Sequence, residues 1–274
     1  MTRFVNNVKT VFLLGGMMGL FAVIGGMLGQ GYLIPFLIMG VITNFGAFFF
    51  SDTIAIKAMR GQEVDSNDPI YLMVDELRHK AGLPMPKVYV CPQQAPNAFA
   101  TGRSPKKAAV AVTMGAMQLL NEQEMRGVMA HELAHIKNRD TLTSTIAATI
   151  AGVLAFLAQW GFFFMGNREN GNPLVMIVVV IIGAVGAAVI KAMISRSREF
   201  VADADGAEIA GTPNGLMSAL AKLESLNQRI PMQNPNPAQN NLFIVEPFAG
   251  AALGKLFATH PPTQRRIAKL RELA

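Results

Sequence analysis

The chain has 274 residues, of which 51% are hydrophobic and only 15% are charged. This composition lies outside the range of ordinary soluble domains and indicates a membrane protein. A net charge of +6 would also suit a nucleic-acid binder, but no basic stripe with interleaved aromatic residues accompanies it, so no nucleic-acid partner is expected.

The first predicted elements are two membrane-spanning helices. Residues 10–51 contain no charged side chain. One continuous helix of this length would be about 63 Å long, roughly twice the hydrocarbon thickness of about 30 Å, so the segment must turn back on itself. The break is predicted at Gly29-Gln30-Gly31, which leaves spans at residues 11–28 and 33–50.

Residues 52–138 have the character of a soluble domain. Residues 68–81 show the periodicity of an amphipathic helix stopped by Gly82, and residues 87–90 and 108–112 are predicted strands with a loop-like connection between them. The second strand directly precedes the motif described next, where it could offer an edge to an extended substrate. The alternative is an ordinary strand inside a small sheet, and the sequence does not separate the two.

The next helix is predicted to begin at Asn121, with Glu124 completing a capping box, and it carries a His-Glu-x-x-His motif. Residues four apart lie one above the other on a helix, so His131 and His135 can bind one metal ion, while Glu132 is placed to accept a proton from water. This arrangement predicts a zinc site, because these side chains on one helix face would be costly to bury without a metal ion.

Two further stretches without charged residues follow, residues 141–167 and residues 170–190, and they predict a second pair of membrane spans. The first of them begins with several threonines and a serine. The polar start of the first stretch would also fit a partly interfacial helix. Residues 191–229 then have helical character, residues 228–247 have the composition of a loop, and a last amphipathic helix is predicted at residues 263–273.

A catalytic zinc ion held by two histidines needs a further protein ligand and an open position. Glu199 is the best candidate, because it lies on a predicted helix just beyond the second pair of spans. Asp203, four residues later, shares its helix face and could orient one of the ligand imidazoles. His79 has no supporting context, and His260 follows a loop and precedes prolines.

Nearly the whole chain resembles the HtpX-type membrane zinc metalloproteases, which are related to the CAAX prenyl endopeptidases. The resemblance rests on both pairs of spans, the His-Glu-x-x-His motif and three further motifs. These are Pro-Asn-Ala-Phe-Ala-Thr-Gly at residues 96–102, Ser-Arg-x-x-Glu-x-x-Ala-Asp at residues 195–203, and Thr-His-Pro-Pro at residues 259–262, followed by Arg266.

The resemblance implies that one zinc ion is bound by His131, His135 and Glu199 and that Glu132 is the general base. It implies cleavage of misfolded or damaged membrane proteins and of unfolded polypeptides, as part of quality control and the stress response at the bacterial inner membrane. It also allows association with other membrane quality-control proteases.

The same resemblance places the segment around His260 near the cleft, where His260 is expected to stabilise the transition state without binding metal. The alternative is a loop histidine that packs under the last helix. Arg266 is expected to be a second cation in the cleft. Substrate contacts are expected at Asn97, Ala98, Phe99 and Arg266.

The expected fold is a mainly α-helical membrane protein with four transmembrane helices and a cytoplasmic, zincin-like α+β protease domain that carries a small β-sheet. Its divisions are an N-terminal transmembrane hairpin (1–51), the first part of the protease domain (52–140), a second hairpin (141–190) and the second part of the protease domain (191–274). Lysine and arginine concentrate on one side of the spans, so both termini and the active site are expected in the cytoplasm.

Two other classes fit parts of the sequence. An intramembrane protease can carry the same motif within a span, but here charged residues on both sides of the motif favour a site in water beside the membrane. A non-catalytic zinc-containing membrane scaffold or adaptor is the second alternative. Structural zinc sites usually take all four ligands from the protein, mostly cysteines, and this chain has a single cysteine.

Overall fold

A computed structural model describes residues 2–28, 31–144, 146, 196–229 and 261–274. These residues form helices packed around a small mixed sheet, which agrees with the predicted mainly α-helical fold. The predicted third and fourth spans lie outside the described residues, except that residues 140–144 are helical and Ile146 packs against the first helix.

The chain begins with two long apolar helices, α1 (Thr2–Leu28) and α2 (Leu33–Phe49). The break between them lies at the predicted position, but α1 begins at Thr2 and not at residue 11. They pack against each other: the side-chain amide of Asn44 donates to the main-chain oxygen of Leu14 at 3.0 Å, and a Cβ atom on Gly25 would stand only 2.9 Å from Cβ of Phe36. Among the described residues, the segment Asn7–Gly26 of α1 is long and apolar enough to cross a membrane. A second segment qualifies only if α2 and the following short helix, bent by 80°, form one broken span.

The hairpin is followed by helix α3 (Ser51–Ala58), the two-residue strand β1 (Gln62–Glu63) and helix α4 (Pro69–Ala81). Asp68 caps α4 by accepting a hydrogen bond from the amide of Ile70 at 2.8 Å, and Gly82 ends it in the left-handed conformation with φ of 66°. Both ends agree with the amphipathic helix predicted at residues 68–81. Gly82 suits the end of this helix because glycine adopts a positive φ without strain.

The sheet has four strands in the order β1, β2, β4, β3, where β2 is Lys87–Cys91, β3 is Ala98–Gly102 and β4 is Ala108–Thr113. β4 pairs in parallel with β2 and antiparallel with β3, so it is an interior strand with every residue buried. Of the two alternatives for residues 108–112, the ordinary strand inside a small sheet is therefore correct, and the substrate-binding edge is not. The reason is that β3, in a segment predicted as a connection, occupies the position next to β4 and becomes the edge strand of the described sheet.

The two faces of the sheet are covered by different helices. One face packs on α4 and on helix α6 (Glu122–Asn138), which follows the short helix α5 (Met114–Leu119), and this is the main core. The other face packs on α3, with Phe99 among its buried residues. Because neighbouring residues of a strand point to opposite faces, Ala98 belongs to the main core while Phe99 belongs to the cluster on α3.

Three helices complete the described structure: α7 (Arg196–Ala210), α8 (Asn214–Arg229) and α9 (Thr263–Arg271). Both α7 and α8 pack on α6, and glycines allow the close approach: a Cβ atom on Gly127 would stand 2.4 Å from the amide nitrogen of Leu216. The start of α6 forms the predicted capping box, in which Asn121 and Glu124 each bind the main chain of the other at 2.9 Å. α6 therefore lies at the centre of the soluble domain, between the sheet and the later helices.

Candidate metal centre

Three potential metal ligands converge between α6 and α7. Nε2 of His131 and Nε2 of His135 lie 3.2 Å apart. The carboxylate of Glu199, in the first turn of α7, has one oxygen 3.6 Å from Nε2 of His131 and the other 3.5 Å from Nε2 of His135. One ligand atom from each residue lies within 4.8 Å of the others, as the chelation of a single ion requires.

The second nitrogen of each imidazole faces an aspartate. Nδ1 of His131 lies 3.0 Å from Oδ1 of Asp203, and Nδ1 of His135 lies 3.2 Å from Oδ2 of Asp140. A carboxylate favours the tautomer in which Nδ1 carries the proton, and this leaves the lone pair of Nε2 for a cation. Both histidines are therefore oriented as metal-ligating histidines usually are.

The balance of buried charge also fits a divalent cation. Four buried carboxylates surround the histidines, and two buried guanidinium groups offset them, those of Arg198 and Arg266. Among these buried groups, with neutral imidazoles, two negative charges remain in excess, which favours a doubly charged ion. The four carboxylates are those of Glu132, Asp140, Glu199 and Asp203.

The pKa of His135 reports the same excess of negative charge. Burial alone lowers this pKa, but the carboxylates of Glu199, Asp140 and Glu132 outweigh burial and raise it to about 9. The site therefore attracts a proton or, in competition with it, a metal ion. Glu132, which is buried beside His131 on α6, is close enough to His135 to contribute to this field.

Asp203 and Arg266 form a buried ion pair beside His131, and Nη2 of Arg266 also lies 3.4 Å from Nε2 of His131. Nε and Nη2 of Arg266 donate to the two oxygens of Asp203 at 2.9 and 2.6 Å, and Nη1 of Arg266 lies 3.5 Å from Oε2 of Glu199. Burial raises the pKa of Asp203, but Arg266 outweighs burial and holds that pKa at about 2. Arg266 is only 1% exposed, so its position favours a role in holding Asp203 and Glu199 over the predicted contact with substrate.

The predicted substrate-contacting residues Asn97, Ala98 and Phe99 lie in or next to strand β3. Asn97 is buried and bonds to Thr113 through its main chain. The main-chain N–H of Asn97 donates to Oγ1 of Thr113 at 2.8 Å, and its main-chain carbonyl accepts from the main-chain N–H of Thr113 at 2.9 Å. The side chain of Phe99 packs towards α3, on the face of the sheet away from α6. Ala98 faces α6, and His260 lies outside the described residues.

Two residues of the site are missed by sequence reasoning, Asp140 and Arg198. Asp140 lies just beyond the end of the metal-binding helix, and Arg198 directly precedes Glu199. Their ionic side chains next to the two ligand-bearing segments are the only sequence signal, and such charges are more often solvated.

Comparison with known proteins identifies the family of this chain. Residues 66–274 match the family model described as Peptidase family M48. The chain is 49% identical to a protein named Protease HtpX homolog of Desulfatibacillum aliphaticivorans over 276 aligned positions, which cover 97% of this chain and 89% of the relative. It is 48% identical to the Protease HtpX homolog of Burkholderia ambifaria (strain MC40-6), with 98% and 97% of the two chains covered.

Among solved structures, the chain resembles the crystal structure of Ste24p from S. mikatae with a TM-score of 0.52 and 16% sequence identity. The match covers 97% of this chain and 64% of Ste24p, so it shows a shared fold. The family match and the two close relatives identify the activity more directly, since their alignment contains the ligand-bearing helices. This chain belongs to peptidase family M48 and is a membrane metalloprotease similar to the HtpX homologs.

Proposed function

We propose that the chain is a zinc-dependent endopeptidase of the bacterial inner membrane that cuts misfolded or damaged membrane proteins and unfolded polypeptides at the cytoplasmic face. The observation that carries this proposal is the convergence of His131, His135 and Glu199 beside Glu132 in a buried site with excess negative charge. Two nitrogen ligands and one oxygen ligand from the protein are typical of catalytic zinc.

Glu132 would be the general base of the reaction. When bound, a zinc ion polarises the scissile carbonyl and makes water more acidic. The carboxylate of Glu132 accepts the proton of the attacking water and passes it to the leaving amine. Asp203 and Asp140 hold the Nδ1 side of the two imidazoles, so both Nε2 atoms stay directed at the ion.

The edge strand β3 is a suitable support for the substrate. Among the described strands it pairs on one side only, with β4, and it packs against α6. An extended peptide could add to its other side through main-chain hydrogen bonds, which accept any sequence and so suit an enzyme that cuts unfolded chains. In this arrangement Ala98 and Phe99 would contact substrate through their main chain, while the side chain of Phe99 stays in the core.

The membrane arrangement that we propose has four spans, with both termini and the two parts of the protease domain, residues 52–140 and 191–274, in the cytoplasm. It is supported by the apolar segment Asn7–Gly26 and by the distribution of lysine and arginine along the sequence. A reporter enzyme fused after Ala274 tests it: a fusion active only outside the cytoplasm would reverse the orientation. Association with other quality-control proteases is part of the same proposal and would be tested by co-purification.

The experiment for the activity is an incubation of the purified full chain with an unstructured membrane-protein substrate, with and without a chelator, followed by readdition of zinc. We expect cleavage that stops with the chelator and returns with zinc. A chain that binds zinc but never cleaves would instead support a non-catalytic scaffold or adaptor. The composition disfavours that alternative, because a structural site usually takes all four ligands from the protein, mostly cysteines, and this chain has a single cysteine.

A further inference from the structure

Asp140 is a buried carboxylate that binds both ligand-bearing segments at once. Its Oδ2 lies 3.2 Å from Nδ1 of His135, and its Oδ1 accepts a hydrogen bond from Nη1 of Arg198 at 3.3 Å. Asp140 is 3% exposed and Arg198 is 7% exposed, so neither ionic group is held by solvent. Because a buried carboxylate cannot exchange these partners for water, its hydrogen bonds to two donors fix its orientation.

The chain reaches this position through a left-handed turn at the end of α6. Helix α6 ends at Asn138, and Arg139 has a left-handed backbone with φ of 59°. Its amide donates to the carbonyls of His135 and Ile136, as in a common way of ending a helix. The next residue, Asp140, then comes back beneath His135, although a spacing of five residues would not bring the two side chains together on one helix.

Arg198 connects Asp140 to the third ligand. It directly precedes Glu199 in the first turn of α7, so the ion pair with Asp140 fixes the start of α7 against the end of α6. Glu199 must approach both histidines to within ligand distance, and this depends on how α7 begins. The Asp140–Arg198 pair therefore acts on two of the three ligands.

Asp140 is also braced from the side of the apolar hairpin. Three residues further on, Oγ1 of Thr143 lies 3.1 Å from Oγ1 of Thr10 on α1, and both are buried. Ile146 packs with Leu13 and Met17 of the same helix. The segment that carries Asp140 is thus fixed to α1, which leaves Asp140 little freedom to follow His135 if the imidazole moves.

We propose that Asp140 is a positioning residue of the metal site, which fixes His135 in its ligating tautomer and, through Arg198, sets the place of Glu199. The inference rests on the proposed metal site. With it, each ligand histidine has the same support, an aspartate at Nδ1 and an arginine behind that aspartate: Asp203 with Arg266 for His131, and Asp140 with Arg198 for His135.

The substitution Asp140→Asn separates this role from simple packing. An asparagine has nearly the same shape, but it replaces one carboxylate oxygen with an NH2 group. If its oxygen accepts from Arg198, its NH2 group faces Nδ1 of His135 and favours the tautomer whose Nε2 carries the proton and cannot bind metal. Loss of an aspartate that orients a ligand typically lowers metal affinity by about 10- to 100-fold. We expect a loss in this range for Asp140→Asn, a smaller loss for Arg198→Gln, and partial recovery for Arg198→Lys, which keeps the charge.

The test uses the purified full chain and measures zinc affinity by competition with a chelator, together with the visible spectrum of the cobalt-substituted protein. The matched control is Asp75→Asn, which removes a half-exposed aspartate that pairs with Arg78 on α4 at 2.7 Å. The control should keep the wild-type affinity and spectrum, whereas Asp140→Asn should change both.

Wild-type zinc affinity and an unchanged cobalt spectrum in Asp140→Asn would overturn the inference, even if its thermal stability fell. Should that variant fail to fold, the Arg198→Gln and Arg198→Lys pair decides: equal wild-type affinity in both also overturns it. A wild-type chain that binds no zinc would instead contradict the proposed function, so the two failures are distinct.

Discussion

Gly206 on α7 lies directly against the main chain of His131 on α6. A Cβ atom on Gly206 would stand 2.9 Å from Cα and 3.0 Å from the amide nitrogen of His131. These are backbone atoms inside a buried helix, which cannot turn away as the end of a flexible side chain can. The absence of a side chain at Gly206 therefore sets the spacing of the two helices that carry the three ligands.

Gly206→Ala should push α7 away from α6 and move Glu199 relative to the two histidines. Overpacking of this kind costs about 1–3 kcal/mol of stability, and a displacement near 1 Å at a catalytic site can lower activity about 10²-fold. Metal affinity and peptidase activity of the purified variant measure the effect. The control is Gly16→Ala on α1, where a Cβ meets no atom within 4 Å. Equal activity in the two variants would show that the helices tolerate a wider spacing.

Arg266→Met should strongly destabilise the fold, because it leaves the buried carboxylates of Asp203 and Glu199 without their cation. Removing one partner of a buried pair typically costs about 3–5 kcal/mol. Thermal unfolding of the metal-free protein measures the loss. The comparison is Arg126→Met, which removes a partly exposed pair with Glu76 at 2.8 Å and should cost about 1 kcal/mol or less. A similar change in both variants would mean that Arg266 does not compensate buried charge.

Glu124→Gln should reduce stability at neutral pH and have little effect in acid. Burial raises the pKa of Glu124, but hydrogen bonds from Lys222, Ser218 and the main-chain N–H of Asn121 outweigh burial and lower this pKa. A lowered native pKa stabilises the fold above the unfolded pKa, near 4.3, and this contribution is lost as pH falls through the native pKa. Charged hydrogen bonds of this kind suggest about 2 kcal/mol at pH 7. Unfolding midpoints from pH 7 to pH 3 check this, and a constant gap between wild type and variant would contradict it.

Much of the soluble domain could be predicted from local signals. Asp68 and Gly82 mark the ends of α4, Asn121 and Glu124 mark the start of α6, and each is a residue type with a strong backbone preference at that position. The His-Glu-x-x-His spacing predicts which two histidines face each other, because it follows from the helix period alone.

Other features depend on contacts that no local pattern records. The segment of β3 consists mostly of small residues and lacks the alternation that predicts a strand, so the sequence could not show whether β4 lies at an edge or inside the sheet. Asp140 lies beyond a left-handed residue, outside the helix period that predicts the ligands. The pairing of Arg198 with Asp140 joins positions 58 apart in sequence, and only the packing of α7 on α6 brings them together.

His260 lies outside the described residues, and its role stays a prediction. A donor that strengthens as negative charge develops on the carbonyl oxygen would lower the barrier, so His260→Ala should keep zinc and substrate binding while kcat falls about 10²-fold or more. Steady-state kinetics with zinc analysis of the variant check this. Unchanged kcat with a lowered unfolding temperature would make His260 a structural residue.

The most direct measurement on the central claim compares wild type with Glu132→Gln for bound zinc and for peptide cleavage. Glutamine keeps the size of Glu132 and leaves His131, His135 and Glu199 in place, but it cannot accept the proton of the attacking water. We predict one zinc ion per chain in both proteins and a loss of cleavage of about 10²- to 10⁴-fold or more in the variant. Near-normal turnover by Glu132→Gln would contradict the claim that this site is the active site of a metalloprotease.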